Sequence, residues 1–118
     1  MAERLDASEL ARRIVDLLTD KQADNILLLD IRSVASFADY FVIASGTSER
    51  QITALLQAIR DELKALGRQP QHQEGSAESG WVLLDLGDVV VHIFAQEERE
   101  FYDLEGLWQA ATPVVRIQ

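Results

Sequence analysis

Two apolar runs, Trp81–Leu86 and Val89–Phe94, are separated only by the dipeptide Gly87-Asp88, and no other feature constrains the chain as tightly. Gly followed by Asp supplies the positive φ that a type I′ or II′ two-residue turn requires, so the runs are expected to pair antiparallel in tight register. Ile26–Ile31 and Tyr40–Ser45 are equally short and apolar. They suit buried strands better than helices too short to propagate. Arg32–Asp39 between them is too short for a crossover helix, so these two strands are also expected to pair antiparallel.

Helical spacing appears in three places. Leu10, Ala11, Ile14, Leu17 and Leu18 recur at helical steps over residues 6–21, with Asp6 and Glu9 as a capping pair. Ile52, Leu55, Leu56, Ile59, Leu63 and Leu66 do the same until Gly67 and Pro70 stop them, and a Ser or Thr stands ready as N-cap. The spacing returns from Glu97 to Trp108, where Phe101, Leu104 and Trp108 form one stripe whose plain reading is core. A short edge strand is expected near Gln71–Gln73, and the tail Thr112–Gln118 either adds an edge strand or frays. The order α, β, β, α, (β), β, β, α predicts an α/β (α+β) fold, a mixed β-sheet flanked by helices. With 118 residues there is room for one core, so residues 1–118 are read as a single domain.

Composition removes several classes of function. The chain has no cysteine, which excludes disulfides, thiolate zinc sites, iron–sulfur clusters and a cysteine nucleophile. Its apolar runs are far too short to span a bilayer, and the first twenty residues interleave Glu3, Arg4, Asp6, Glu9, Arg12, Arg13 and Asp16 with apolar residues, unlike a leader. A cytoplasmic protein with no membrane partner is expected. Net charge is −9, and residues 71–118 hold nine acidic groups against two basic ones. Such a segment repels a phosphate backbone, so direct nucleic-acid binding is not expected, whereas a basic protein surface would be attracted. Solubility alone is the plainer use of the same charge.

Searches for catalytic patterns return little. His72 and His92 are the only histidines, lie on different elements, and have no partner at i+3 or i+4 for a metal. His92 reads as a partly buried strand residue whose nitrogen finds a backbone or carboxylate partner, or as a contact residue. Ser48, His92 and Asp85 could be assembled into a triad on paper, but no Gly-x-Ser-x-Gly supports it. Ser45-Gly46-Thr47-Ser48 stands where a strand meets a helix and could cradle a phosphate with Arg50, yet both nucleotide fingerprints fail and a helix cap is the plainer reading. Asp85 and Asp88 straddle the hairpin, unlike a metal pair on one strand face, so Asp88 is given a turn role and Asp85 surface charge. No cofactor is expected. The combination that stands out is aromatic and acidic: Trp81, Phe101, Tyr102 and Trp108 among Asp85, Asp88, Asp103 and Glu105. Exposed aromatics in an acidic rim make a docking surface for a basic protein.

Several motifs in order, Ser36–Arg50, Glu74-Gly75, Trp81–Phe94 and Arg99–Trp108, closely resemble the bacterial ribosomal silencing factor family, also called Iojap-like. The resemblance runs from about Leu10 to Trp108. It implies a nucleotidyltransferase-like fold without catalytic residues, and a non-enzymatic function. It also implies binding to the large ribosomal subunit through its protein number fourteen, which blocks joining of the small subunit and damps translation in starvation or stationary phase. Homodimers are a further implication. The motif positions that would carry the partner contact are Trp81, Asp85, Asp88, His92, Tyr102, Asp103 and Leu104, with Leu83 and Val90 as apolar strand neighbours. Two alternatives stay open: a nucleotidyltransferase-like enzyme using Asp85 and Asp88 on Mg²⁺, and a dimeric scaffold that buries the Trp81–Phe94 hairpin against its twin.

Overall fold

The computed structural model describes residues 5–118, so Glu3 and Arg4 lie outside the described residues. Helix α1 (Ala7–Asp20) opens on the expected capping box: the Glu9 N–H donates to Asp6 Oδ1 at 2.8 Å, and the Asp6 N–H to Glu9 Oε1 at 3.2 Å. Helix α2 (Glu49–Ala65) starts at Ser48, whose Oγ accepts from the Gln51 N–H at 3.1 Å. It ends where Gly67 takes φ 72° and the Arg68 N–H returns to the Leu63 carbonyl at 2.8 Å.

Six strands form one sheet: β1 (Asp24–Asp30), β2 (Tyr40–Gly46), β3 (His72–Ser76), β4 (Trp81–Asp85), β5 (Val89–Ala95) and β6 (Thr112–Ile117), in the spatial order β3-β4-β5-β2-β1-β6. Neighbours run antiparallel except β2 and β5, which run parallel and make the sheet mixed. A parallel pair needs a crossover, which α2 and the β3–β4 hairpin supply. The β4–β5 hairpin has the predicted two-residue loop, with the Leu86 N–H donating to the Val89 carbonyl at 2.9 Å. Positive φ falls on Gly87 (95°) and not on Asp88, which selects the II′ form over I′. The tail is an edge strand on β1, its register shifting beside Pro113, which has no N–H to give the ladder.

Strand alternation sends Leu28, Val42, Ala44, Val82, Leu84, Val91 and Ile93 to the face covered by α1 and α2. Burying the α2 stripe of Ile52, Leu55, Leu56, Ile59 and Leu63 contributes roughly 10 kcal/mol, at about 2 kcal/mol per side chain. The opposite face presents Leu27, Leu29, Phe41, Ile43, Val90 and Phe94. Short pieces cover it: Ile31 and Ala38 from the β1–β2 connection, then Leu104 and Ala111.

Contrary to the single helix that its spacing predicts, the segment 97–108 forms two, α3 (Gln96–Tyr102) and α4 (Leu104–Leu107), broken at Asp103, which takes φ 45°, ψ 54°. Aspartate tolerates the left-handed region because its short side chain bonds locally, and here Asp103 Oδ1 accepts from the Gly106 N–H at 3.2 Å. The break turns α4 away from the axis of α3, so Phe101, Leu104 and Trp108 do not share one stripe. Leu104 is buried, Trp108 half-buried and Phe101 81% exposed. Among the described residues no helix is long and apolar enough to cross a membrane.

Gly75 holds β3 against the start of β4. Its φ is 82°, and a Cβ there would lie 2.0 Å from the Trp81 carbonyl oxygen. Gly67 has φ 72° but open space around it. Gly67→Ala is therefore expected to cost about 1 kcal/mol, the left-handed penalty alone, and Gly75→Ala at least about 2 kcal/mol more. Urea unfolding of the two variants measures the difference, and equal losses would contradict this role for Gly75.

Candidate partner-docking site

Trp81, Leu83 and Asp85 alternate along β4 onto the face away from α1 and α2, opposite Phe94, His92 and Val90 of β5 in register. The end of α3 brings Tyr102 to the same place. Its ring centroid lies 4.6 Å from that of Trp81, which in turn stacks on Phe94 at 5.0 Å. Phe101 meets Tyr102 edge-on at 5.1 Å. On the other side, Phe41 stands 4.8 Å from His92 and 5.0 Å from Trp108, and Phe37 packs on Trp108 at 5.9 Å. The result is a continuous aromatic lobe whose outer members are exposed: Phe101 by 81%, Phe37 by 61% and Tyr102 by 45%; Leu107, next to Trp108 in the chain, is 77% exposed. Edge-on and stacked contacts restrain the planes of the rings, which reduces the freedom lost when a partner covers them.

The nine sequence-derived positions divide by depth. Tyr102, Asp88 and Asp103 are exposed; Trp81, Leu83 and Asp85 are half-buried; Val90, His92 and Leu104 are buried beneath them. The two hairpin aspartates exchange the parts expected of them. Asp85 Oδ1 accepts from the Gly87 N–H at 2.8 Å and shapes the turn, whereas the Asp88 side chain is exposed charge. Asp85 holds the turn role because a carboxylate one residue before a II′ turn reaches the N–H two positions on. The Asp88 backbone still ties the turn to β2, its carbonyl accepting from the Asp39 and Tyr40 N–H groups at 2.7 and 3.1 Å.

Arg99 fixes where Tyr102 and Asp103 stand, a role that sequence reasoning missed. Its guanidinium is buried, donating from Nε to Glu105 Oε1 at 3.2 Å, from Nη1 to Ser45 Oγ at 2.9 Å, and from Nη1 to the Asn25 carbonyl. It thereby bolts α3 and α4 to the ends of β1 and β2. The signal was there: Arg99 is the lone cation within Gln96–Glu105. Phe37 and Leu107 were also missed, because a single apolar residue in a loop or a four-residue helix carries no periodicity.

His92 meets neither backbone nor carboxylate; its Nδ1 accepts from the Trp81 indole N–H at 3.2 Å. Indole nitrogen only donates, so the neutral imidazole must carry its own proton on Nε2. That Nε2 is buried with no partner, at a cost of about 1–3 kcal/mol. Burial lowers the His92 pKa to about 4.

The phosphate and metal alternatives lose their residues to structural tasks. Ser48 caps α2, Thr47 donates from N and Oγ1 to Gln51 Oε1, and Ser45 accepts from Arg99. A cleft of about 580 Å³ does open beside Thr47, but Glu49, Glu78, Glu97, Glu98 and Glu100 line it. Five carboxylates repel a phosphate. Among the described residues no three His, Asp or Glu side chains converge on a metal position.

Removing the Arg99 guanidinium should strand Ser45 and Glu105 and free α3. Arg99→Met is expected to lower stability by about 2–4 kcal/mol, with the midpoint of urea unfolding as readout; an unchanged midpoint would contradict the bolt. A second expectation concerns acid. His92 binds its proton near pH 4 when folded and near its ordinary value of 6.5 when unfolded. Between those values the unfolded chain holds more protons, so stability falls as pH drops from 6.5 to 4, by up to about 1.4 kcal/mol per pH unit. His92→Leu should remove that part of the slope; identical pH profiles of parent and variant would contradict it.

Residues 4–118 match the family described as "Ribosomal silencing factor during starvation". The chain is 47% identical over 89 residues to the ribosomal silencing factor RsfS of Bacillus subtilis, an alignment covering 75% of each. It is 35% identical over 98 residues to the mouse protein named mitochondrial assembly of ribosomal large subunit protein 1, covering 80% of this chain and 43% of that one. A crystal structure from Chromobacterium violaceum superposes with a TM-score of 0.84 at 32% identity, covering 97% of this chain and 95% of that one. A match spanning nearly every residue, with the same fold in a solved relative, places the chain in the ribosomal silencing factor family.

Proposed function

We propose that this protein represses translation in the cytoplasm by binding the large ribosomal subunit through its protein number fourteen, and so blocking association of the small subunit in starvation or stationary phase. It does so by occlusion and without catalysis. The observation that carries the reading is the aromatic lobe of Trp81, Tyr102 and Phe101, whose outer rings stay open on the sheet face that neither long helix covers, beside Asp103. Such a lobe offers anchors to a partner, and the excess of acid in residues 71–118 selects a basic one. Assembly of the ribosomal large subunit is the subject of the mouse relative's name, and ribosomal silencing that of the bacterial ones. A second copy of the chain is the competing occupant of the same lobe, and a homodimer formed there would exclude the ribosome.

Electrostatic attraction sets the rate and orientation of approach, while the buried rings set how long the complex lasts. Trp81→Ala and Tyr102→Ala are each expected to weaken binding to isolated large subunits by about 1–3 kcal/mol, the range for aromatic anchors. Co-sedimentation across a titration gives the affinities, and circular dichroism establishes that both variants are folded. Folded variants that bind as tightly as the parent would overturn the assignment.

A further inference from the structure

His92 lies under the docking surface, 3% exposed, on the same side of β5 as Val90 and Phe94. Both of those neighbours are apolar, and nothing in the strand pairing asks for a polar side chain between them. An aliphatic residue of similar size would bury the same area without stranding an N–H. What the imidazole adds is one acceptor, Nδ1, and the group it accepts from is the Trp81 indole N–H at 3.2 Å. The opposite ring nitrogen, Nε2, is left buried and unpartnered. Fold stability is therefore not what the imidazole serves.

Trp81 is half-buried, with its ring between Phe94 at 5.0 Å and Tyr102 at 4.6 Å. Stacking restrains the plane of an indole but not which edge faces which way, because a half-turn about the Cβ–Cγ bond returns the ring to the same plane with its polar and apolar edges exchanged. A hydrogen bond to Nδ1 removes that freedom, because it pins one edge toward the strand. An anchor ordered before the encounter loses less freedom on binding than one ordered during it. We propose that His92 is a positioning residue, whose Nδ1 presets the Trp81 ring, and through it the Trp81–Tyr102 pair, in the orientation that the ribosomal partner accepts. This role rests on the docking reading of the aromatic lobe. His92 itself does not touch the partner.

The first test needs no variant. Nitrogen chemical shifts of the ¹⁵N-labelled imidazole should show Nδ1 bare and Nε2 protonated at neutral pH; a proton on Nδ1 would overturn the proposal. The second compares His92→Leu, which removes the acceptor, with His92→Asn, whose side-chain oxygen can stand near the position of Nδ1. His92→Leu should unfold at or above the parent's Tm yet dissociate from large subunits about five to ten times faster, the loss of one hydrogen bond's worth of preorganisation. His92→Asn should recover most of the lost residence time. Equal loss in both variants would show that shape and not the acceptor matters, and would overturn the proposal. His92→Leu bound like the parent while Trp81→Ala is released quickly would overturn the proposal and leave the docking reading standing. Trp81→Ala bound like the parent would overturn both.

Discussion

A six-stranded sheet with both long helices on one side must dispose of the apolar side chains on the other. In this chain, Leu27, Leu29, Phe41, Ile43, Val90 and Phe94 are covered by a short connection, by α4 and by aromatic side chains from the sheet itself. That cover is thin enough to end in exposed rings. The aromatic lobe is thus not an addition to the fold but the incompletely covered half of its core. Its outer rings rest on buried ones, so their positions inherit the rigidity of the sheet.

Two polar groups hold the lobe in shape. Arg99 ties α3 and α4 to the ends of β1 and β2, which sets where Tyr102 and Asp103 emerge. Asp103, in the left-handed region, closes one helix and caps the next, and Gly106 leaves the room its carboxylate needs: a Cβ there would lie 2.1 Å from Asp103 Oδ2. The two short helices therefore meet at a sharp corner, and Phe101 turns outward beside it. Polar interactions here define an arrangement of rings; the bulk of the stability comes from α1 and α2 on the other face.

Most of the fold was legible because its signals are local. Gly87-Asp88 between two apolar runs dictates the β4–β5 hairpin, and Asp6 with Glu9, or a Ser or Thr ahead of the Ile52 stripe, marks a helix start that the structure reproduces. The break at Asp103 was not legible, because Phe101, Leu104 and Trp108 keep helical spacing through it. Its cause is an interaction among Asp103, Gly106 and the Arg99 network, which spans distant strands and leaves no period in the sequence. The site follows the same division. Trp81 and Tyr102 stood out as aromatics among acids, whereas the depth of His92 depends on the rings that pack over mid-strand β5, and the exchange of roles between Asp85 and Asp88 on which way each side chain turns at the hairpin.

If an unchanging surface, and no reaction, keeps the ribosomal subunits apart, occupancy of the large subunit alone must suffice. The most direct test is light scattering of isolated large and small subunits mixed with increasing amounts of the purified protein. Formation of whole ribosomes is expected to fall as large subunits become occupied, without added nucleotide. Full joining in the presence of large subunits that carry the bound protein would contradict occlusion.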